Sequence, residues 1–430
     1  MLVQISVRIE GREVGTVERE LSASANDVEE RVREGLQRAG QMVLEPAFLE
    51  MAKQVSAPNC CGHAMENKGF RLATVRTTCG DVPVARRRYR CSWCGHECFP
   101  ADHLLRCGRY RITKPLARRA FQFALTEHFP RLLGILFDQH GVTLSHDTLM
   151  DLVHDAAGHL ERLRLAEAAR ERNQRTPITP IVTPERVHMM LDGIIDCTNQ
   201  TEPHPADPHQ SRLIWQQMKV GAVSWQDCEG RWHKRMTWGR ESPRDFGAAL
   251  LRLARRRGYD QAREKIFAAS GADWCWDVHT TVFPDAVPIV DWYHVSVHVW
   301  TAARIVSPQD PKSWADQALG SLRNEGGTAF VSWLEEQLKS RRGHARQSIE
   351  ELLNYLRPRL ERLKYPDYRS RGLQIGTGLI QSTGNQLVGQ RLKGPGMHWT
   401  EQGALAITAL SATDLNGDWE NTWKHLALSS

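Results

Sequence analysis

One thirty-residue stretch, 265–294, limits what this chain can fold into more than any other: KIFAASGADWCWDVHTTVFPDAVPIVDWYH. It opens on a short apolar run of strand length, Ile266–Ala269. Ser270, Gly271 and Ala272 then turn into a tryptophan-rich helical segment. After Phe283 and Pro284 a second apolar run, Val287–Val290, ends on Asp291, Trp292, Tyr293 and His294. Strand, helix and strand in about thirty residues is the size of a crossover unit, which joins strands of a parallel sheet. Polar residues that end such strands stand at the sheet edge where α/β proteins place their chemistry. Ser270 and Asp291 hold those positions.

The residues ahead of this unit extend the sheet. VHMMLDGIID is a buried-type strand carrying Asp192 before Gly193. RLIWQQMKVGAVSW and RWHKRMTWGR follow as two antiparallel strands joined by a polar turn, and FGAALLRLARRRGY is a helix. Three meander strands, a helix, then strand–helix–strand is the order of an RNase H-like mixed sheet. A mostly helical insertion spans about 295–371, and the whole domain takes 187–430. Arg255, Arg256 and Arg257 read as the solvated end of the helix. Most of the fourteen tryptophans, Trp274, Trp276, Trp292, Trp300 and Trp399 among them, lie beside apolar runs and are expected in the core; the alternative is stacking on bases.

The first 186 residues divide into smaller parts. In 1–55, Val3, Ile5, Val7 and Ile9 alternate ahead of Gly11, then Val14 and Val17, which predicts a hairpin. Asn26 and Asp27 are expected to cap a helix whose apolar positions Val28, Val32 and Leu36 fall four apart. This is a packing or dimerisation element. Residues 56–104 carry two knuckles, Cys60-Cys61-Gly62-His63 and Cys91-Ser92-Trp93-Cys94-Gly95, around two strands expected to join at Gly80-Asp81. Paired thiolates and imidazoles flanking a hairpin form a zinc ribbon, with four ligands around a tetrahedral ion. Cys91 and Cys94 supply one pair. The other comes from Cys60, Cys61 and His63, whose first knuckle is irregular. The alternative is a ribbon without metal that buries free cysteines.

Residues 105–165 read as helical throughout. Gly141 to Ser145 form a glycine-bearing turn, and Ser145 is placed to cap the last helix. That is a helix-turn-helix outline. The second helix, SHDTLMDLVHDAAGHLE, is acidic, so the basic residues ahead of it are the better DNA contacts: Arg106, Arg109, Arg111, Lys114, Arg118 and Arg119. Arg86 and Arg88 on the ribbon, with Arg391 and Lys393 near the C-terminus, are further candidates for phosphate. Residues 166–186 pass into a Thr/Pro-rich linker.

Composition narrows the class. A net charge of +6 fits a nucleic-acid partner without requiring one. No apolar stretch approaches the ~20 residues that span a bilayer, and the N-terminus lacks a signal pattern, so the expected location is the cytoplasm. Ten cysteines over 430 residues are not a secreted disulfide framework.

Several motifs carry a family resemblance. Leu191-Asp192-Gly193, the W-x-x-x-K-V-G run from Trp215, Gly271-Ala272 with Trp274 and Trp276, Phe283–Ala286, Ile289–His294 and GTGLIQSTGNQLVGQRLKGPGMHW at 376–399 resemble bacterial insertion-sequence transposases of the Kra group. PNCCG with RTTCGDVPVARRRYRCSWCGHECFP resembles the region ahead of their catalytic domain. The likeness covers about residues 45–410. It implies a DDE enzyme of the RNase H-like superfamily, in which three carboxylates hold two Mg²⁺ or Mn²⁺ ions that cleave and join DNA strands. It also implies double-stranded element ends as partner, a homo-oligomer that pairs them, and a nucleoid-associated location.

The matched carboxylates are altered. The first is Asp192. Ser270 stands where aspartate is expected and Gln381 where glutamate is expected; Gln217 and Val297 replace two further acidic positions. One remaining charge against two dications is a costly deficit in a cleft. Asp273, Asp291 and Asp196 are the substitutes within reach. The expectation is a transposase-like protein that binds element ends with impaired catalysis; the alternative is a catalytically inactive repressor or host-recruited DNA-binding protein.

Overall fold

The structure is a computed structural model that describes residues 2–21, 24–105, 110–173 and 179–425. The chain divides into two compact units, Met1–Leu163 with Glu420–Ser430, and Arg164–Trp419.

The first unit begins with antiparallel strands β1 (Leu2–Ile9) and β2 (Arg12–Glu20). Glu10 and Gly11 both take left-handed φ, 49° and 79°, which suits a two-residue hairpin turn to the twist of its strands. Helix α1 (Ala25–Lys53) packs on the hairpin, with Ile5 against Gly35 and Met42 against Gly15. Its N-cap is Ser24, so Asn26 and Asp27 fall inside the first turn rather than at the cap. There Asp27 meets the positive end of the helix dipole and pairs with Arg31 at 3.1 Å.

The ribbon follows as β3 (Asn59–Cys60), β4 (His63–Ala64), β5 (Glu66–Thr77), β6 (Gly80–Arg90) and β7 (Glu97–Cys98). Thr77 pairs with Gly80, so the β5–β6 turn is Thr78-Cys79 and not Gly80-Asp81. The Thr77 hydroxyl decides this, accepting from the Cys79 amide at 3.0 Å and donating to the Gly80 carbonyl at 2.8 Å. Val75, Val82 and Val84 close a small core with Ala52 and Ala101, the latter on α2 (Ala101–Leu105).

Helices α3 (Lys114–Ala124), α4 (Phe129–His140) and α5 (His146–Asn173) occupy the region read as helical, and the turn at Gly141–Ser145 separates α4 from α5 as expected. The Arg76 amide bonds Arg111 O and the Thr113 amide bonds Arg76 O, holding Arg111–Thr113 extended along the ribbon. Gly141 ends α4 in the left-handed region, φ 64°. The Ser145 hydroxyl accepts from the Thr148 amide at 3.1 Å and caps α5, as its placement predicts. Helix α5 continues into the expected linker because Leu163–Asn173 is rich in Ala, Glu, Leu and Arg, all strong helix formers. Leu116, Phe121, Leu132, Leu136, Leu149 and Leu152 are buried along these helices.

The second unit is built on one mixed sheet. Its strands are β8 (Arg186–His204), β9 (Asp207–Gln226), β10 (Trp232–Gly239), β11 (Glu264–Ala269) and β12 (Val287–Val290). Their order is β10-β9-β8-β11-β12, antiparallel among the first three and parallel from β8 to β12. The opening crossover therefore exists as read, with α7 (Asp273–Val282) between β11 and β12. Ile266, Phe267, Ile289 and Val290 are fully buried, each contributing roughly 1.5–3 kcal/mol over an exposed position. Helix α6 (Pro243–Arg256) links β10 to β11.

After β12 come α8 (Trp292–Val306), α9 (Pro311–Asn324), α10 (Gly327–Ser340), α11 (Gly343–Leu356), a 3₁₀ turn at Arg357–Arg362 and α12 (Tyr365–Ser370). The chain returns as α13 (Gly378–Gly384), a π turn at Asn385–Gly389, α14 (Gln390–Leu392) and α15 (Glu401–Leu415); α16 is Trp419–His425. A bulge in β8 after Cys197 receives Trp399, whose amide bonds Cys197 O while its carbonyl accepts from Asn199. This ties the segment before α15 to the long β8–β9 hairpin. Among the described residues no helix is long and apolar enough to cross a membrane.

Candidate functional site

Sheet register assembles the site. Ala269 of β11 lies beside Leu191 of β8 and beside Val290 of β12. The next residue on each chain segment is Ser270, Asp192 and Asp291, so the three form one row just past the ends of β11 and β12, where β8 continues to His204. Gln381 arrives from α13, its side-chain amide donating to Asp291 Oδ2 at 3.2 Å. Residues from four separate stretches of sequence thus meet at one place.

Asp291 is fully buried. Its Oδ1 accepts from the amides of Thr377 (2.8 Å) and Tyr293 (3.3 Å), and its Oδ2 from the His294 amide (3.2 Å) and Gln381. A carboxylate offers about four lone-pair sites, and here four donors fill them. Burial raises its pKa, but the bonds from His294, Thr377 and Tyr293 outweigh burial and hold it below the usual value. Asp291 caps α8, so its charge is spent on the fold.

Asp192 is the carboxylate that faces the cleft. Burial holds its pKa above normal, against the Gly193 amide, His294 and a hydrogen bond from Ser270. The Gln217 side chain packs on Gly193 beside it: a Cβ there would meet Gln217 Nε2 at 2.2 Å and displace that side chain. Asp196 is also fully buried, gripped by Arg240 at 2.7 and 2.6 Å, and is not open to a ligand. Asp273 stands at the start of α7 with its side chain 95% exposed, 3.1 Å from Arg359. It points to solvent rather than into the row.

The cleft over this row measures about 410 Å³ and is bounded by Asp192, Gln217, Ser270, His294, His298, Tyr355 and Arg359, with backbone from Gly193, Gly271 and Ala272. His294 is held above its ordinary pKa by Asp291 first, with Asp192 adding to the effect. His298 stacks on Tyr355 at 4.0 Å, and the Arg359 guanidinium lies 4.5 Å over the same ring. Burial holds the His298 pKa down. Two hard dications do not fit these residues: one open carboxylate, a hydroxyl and a carboxamide already donating replace the three charges such a pair needs.

Comparison with solved structures finds the strand transfer complex of the Drosophila P element transposase, at 8% identity and TM-score 0.26, covering 73% of this chain and 81% of that one. So slight a likeness carries no argument. No protein-family model and no curated protein matches the chain.

His298, Tyr355 and Arg359 escaped the sequence reading. The signal was present as two pairs spaced four apart on helices, His294 with His298 and Tyr355 with Arg359, one neighbouring turn apiece. What the sequence hides is that α11 and the turn after it fold back onto the Gly271 turn that follows β11.

The ribbon holds the second cluster. The sulfurs of Cys60, Cys61, Cys91 and Cys94 all lie within 4.8 Å of one another, against the ~3.8 Å separation that four 2.3 Å bonds at tetrahedral angles would give. They are placed to hold a metal such as zinc. Cys61 and Gly62 both take positive φ, 51° and 81°, a tight turn that brings adjacent cysteines to one center. That turn pairs His63 with Cys60 across the strands, and the imidazole stacks on Trp93 at 5.3 Å. The amides of Cys94 and Trp93 pull the Cys91 thiol down to about 7, favouring the thiolate that binds metal.

The basic candidates separate by exposure. Arg86 is buried, paired with Asp102 and lying 4.4 Å over Phe99, and Arg391 is buried 4.8 Å over Trp399. Both serve packing, which sequence position alone could not reveal. Arg88 lies 3.7 Å from Glu97, and Arg118 pairs with Glu420. Arg111 and Lys393 are exposed and Lys114 is half-buried. Arg106 and Arg109 lie outside the described residues.

Proposed function

We propose that this chain is an insertion-sequence transposase-like DNA-binding protein with an RNase H-like core, keeping the scaffold of a two-metal strand-transfer site without its ligands. The observation that carries the reading is convergence. Two of the motif positions, Asp192 and Ser270, stand in one row with Asp291, and the third, Gln381, comes from a distant part of the chain to hydrogen-bond Asp291. The sheet order β10-β9-β8-β11-β12, with the helical stretch 292–370 between the last strand and α13, supports the RNase H-like assignment. The ribbon, holding zinc on four cysteines, and exposed cations such as Arg111 supply the DNA-binding part, and pairing of two element ends requires a homo-oligomer. Catalytically silent binding, as in a repressor or a host-recruited protein, is favoured over cleavage because Asp291 has no acceptor site left and Asp273 points away.

The test is an assay on DNA bearing the element's ends, with Mg²⁺ and Mn²⁺, comparing the chain as it stands with the Ser270→Asp, Gln381→Glu double variant. Expected is binding that weakens steeply with salt, with no nicking by the chain as it stands. Nicking by that chain would overturn the silent reading, and absence of DNA binding would overturn the whole proposal.

A further inference from the structure

The knuckle that carries Cys91 and Cys94 also carries the most exposed large apolar side chain among the described residues, Trp93 at 75%. The loop beneath it fixes its place. The Cys91 amide donates to His96 O at 2.8 Å, the Gly95 amide donates to Cys91 O at 3.1 Å, and Gly95 takes a left-handed φ of 73°. Cys91 is buried at the foot of this loop, while Ser92 to His96 are exposed. A tryptophan normally serves a small domain by burying a large apolar surface. Trp93 does not.

Its neighbour is a second ring. The His63 imidazole, itself exposed, lies 5.3 Å from the indole with the two planes 15° apart. At 75% exposure, the indole face turned away from His63 is open to solvent. Offset stacking is a favoured arrangement of planar rings, so a third ring can extend the pair on that open face.

A cation lies along the same loop. Arg90 Nη2 is 3.8 Å from the point where a Cβ on Gly95 would stand. Its cross-strand neighbours are Glu66 and Glu97. Glu66 is held by Lys68 at 2.6 Å, and Glu97 lies 3.7 Å from Arg88. Among the described residues Arg90 therefore has no carboxylate of its own.

The surroundings decide the kind of partner. A hot spot for another protein is an aromatic set in contacts that exclude water, whereas Ser92, Gly95, His96 and Arg90 leave this one among small and polar exposed groups. A nucleobase needs a planar face to stack on and a cation near its phosphate. We propose that Trp93, backed by His63, is the stacking platform for an unpaired nucleobase, with Arg90 meeting the adjoining phosphate. The inference rests on the DNA-binding reading of the ribbon and deepens it, naming single-stranded DNA as what the ribbon takes at this point. The contact tolerates any base, since every base has a π face.

The test uses the full chain with its zinc content measured throughout. Anisotropy follows three labelled ligands: a single-stranded oligonucleotide, the same strand with abasic sites in place of its bases, and a relaxed duplex minicircle with no open base face. Expected is roughly tenfold tighter binding of the strand that carries bases, the effect of one stacked base. Trp93→Ala should remove that preference and Trp93→Phe should keep most of it. Arg90→Gln should weaken both strands alike, and the minicircle should bind the Trp93→Ala chain as it binds the unaltered one.

A preference for bases that survives Trp93→Ala overturns the proposal, as does a loss on the minicircle equal to the loss on the strand. Should Trp93→Ala cost the chain its zinc, the unaltered chain and Trp93→Phe decide: equal affinity for the two strands overturns the platform. A changed oligomeric state in Trp93→Ala with the base preference intact gives the face to a second copy instead. Minicircle binding without any preference for bases sinks this inference alone. Binding of none of the three ligands sinks the functional reading and this inference with it.

Discussion

The ribbon and the cleft both gather polar side chains around a small space, and they balance charge in opposite ways. In the ribbon four sulfurs converge near the surface, Cys61 and Cys94 exposed, placed so that a cation from outside could complete them. Around the cleft the charge is balanced from inside: four donors fill Asp291, Arg240 neutralises Asp196, and Gln381 supplies a donor where a glutamate would need a metal to face Asp291. A site can hold its shape by waiting for a ligand or by internal hydrogen bonds. This chain does one in each unit.

The largest effect should come from breaking the ribbon's side. Cys91→Ser removes the one buried sulfur of the four. Structural zinc contributes on the order of 10 kcal/mol of binding free energy in small zinc domains, so the β5–β7 region should lose its fold. Elemental analysis should show zinc falling from one per chain toward none. His63→Ala should leave zinc unchanged, since the imidazole stacks on Trp93. Zinc lost on that substitution would mean the four-sulfur set is wrong.

Arg240→Ala attacks the internal balance of the second unit. It strands Asp196, whose side chain is 0% exposed beside an arginine 10% exposed. Removing one partner of such a buried pair costs about 3–5 kcal/mol, read as a drop in the urea midpoint of the second unit with zinc content unchanged. Adding Asp196→Asn should recover part of the loss. An unshifted midpoint would show that Asp196 does not carry a buried charge.

Register explains which parts of this contrast were legible. The crossover could be read because β11 and β12 are uninterrupted apolar runs, and a row at their carboxyl ends follows from any parallel pairing. The ribbon's cysteines were legible by spacing, but the choice against His63 depended on φ at Cys61 and Gly62. The fates of Arg86 and Arg391 were illegible, because a charged residue beside an aromatic reads as solvated until a fold buries it. The Tyr355–His298 wall was illegible for a different reason: its pairs spaced four apart are local, but nothing local shows that the insertion returns to the turn after β11.

Gln381→Glu tests whether the cleft has replaced its metal by a hydrogen bond. The substitution removes the donor to Asp291 Oδ2, 3.2 Å away, and sets a second carboxylate against the first. In EDTA the second unit should lose about 1–2 kcal/mol of stability, the cost of one lost bond to a buried charge, discounted because residue 381 is itself exposed. Mn²⁺ should restore part of that in the Ser270→Asp, Gln381→Glu double variant and none in the unaltered chain. Equal stability of the single variant in EDTA would sink the idea of a substituted metal bridge.

The smallest effect is a pH dependence, and its sign follows from two groups that face each other. His294 is raised, chiefly by its bond to Asp291. Its contribution is complete below about pH 6.5, the unfolded value, and is lost as pH rises through the higher folded value. Asp291 is lowered, with burial opposing and the bonds of His294, Thr377 and Tyr293 prevailing. Its contribution is complete above about pH 3.9 and is lost as pH falls through the lower folded value. Asp192, raised chiefly by burial, runs the other way, costing stability as pH rises through its folded value. His298, lowered by burial, costs stability as pH falls below its unfolded value. The second unit should therefore be most stable in mildly acid solution and weaken gently toward alkaline pH. His294→Asn should shrink the alkaline decline, leaving the share that Asp192 contributes, and leave the acid one, read as urea midpoint against pH. An alkaline decline undiminished by the substitution would place its origin outside the Asp291–His294 pair and leave the internal charge balance resting on Gln381 and the backbone amides alone.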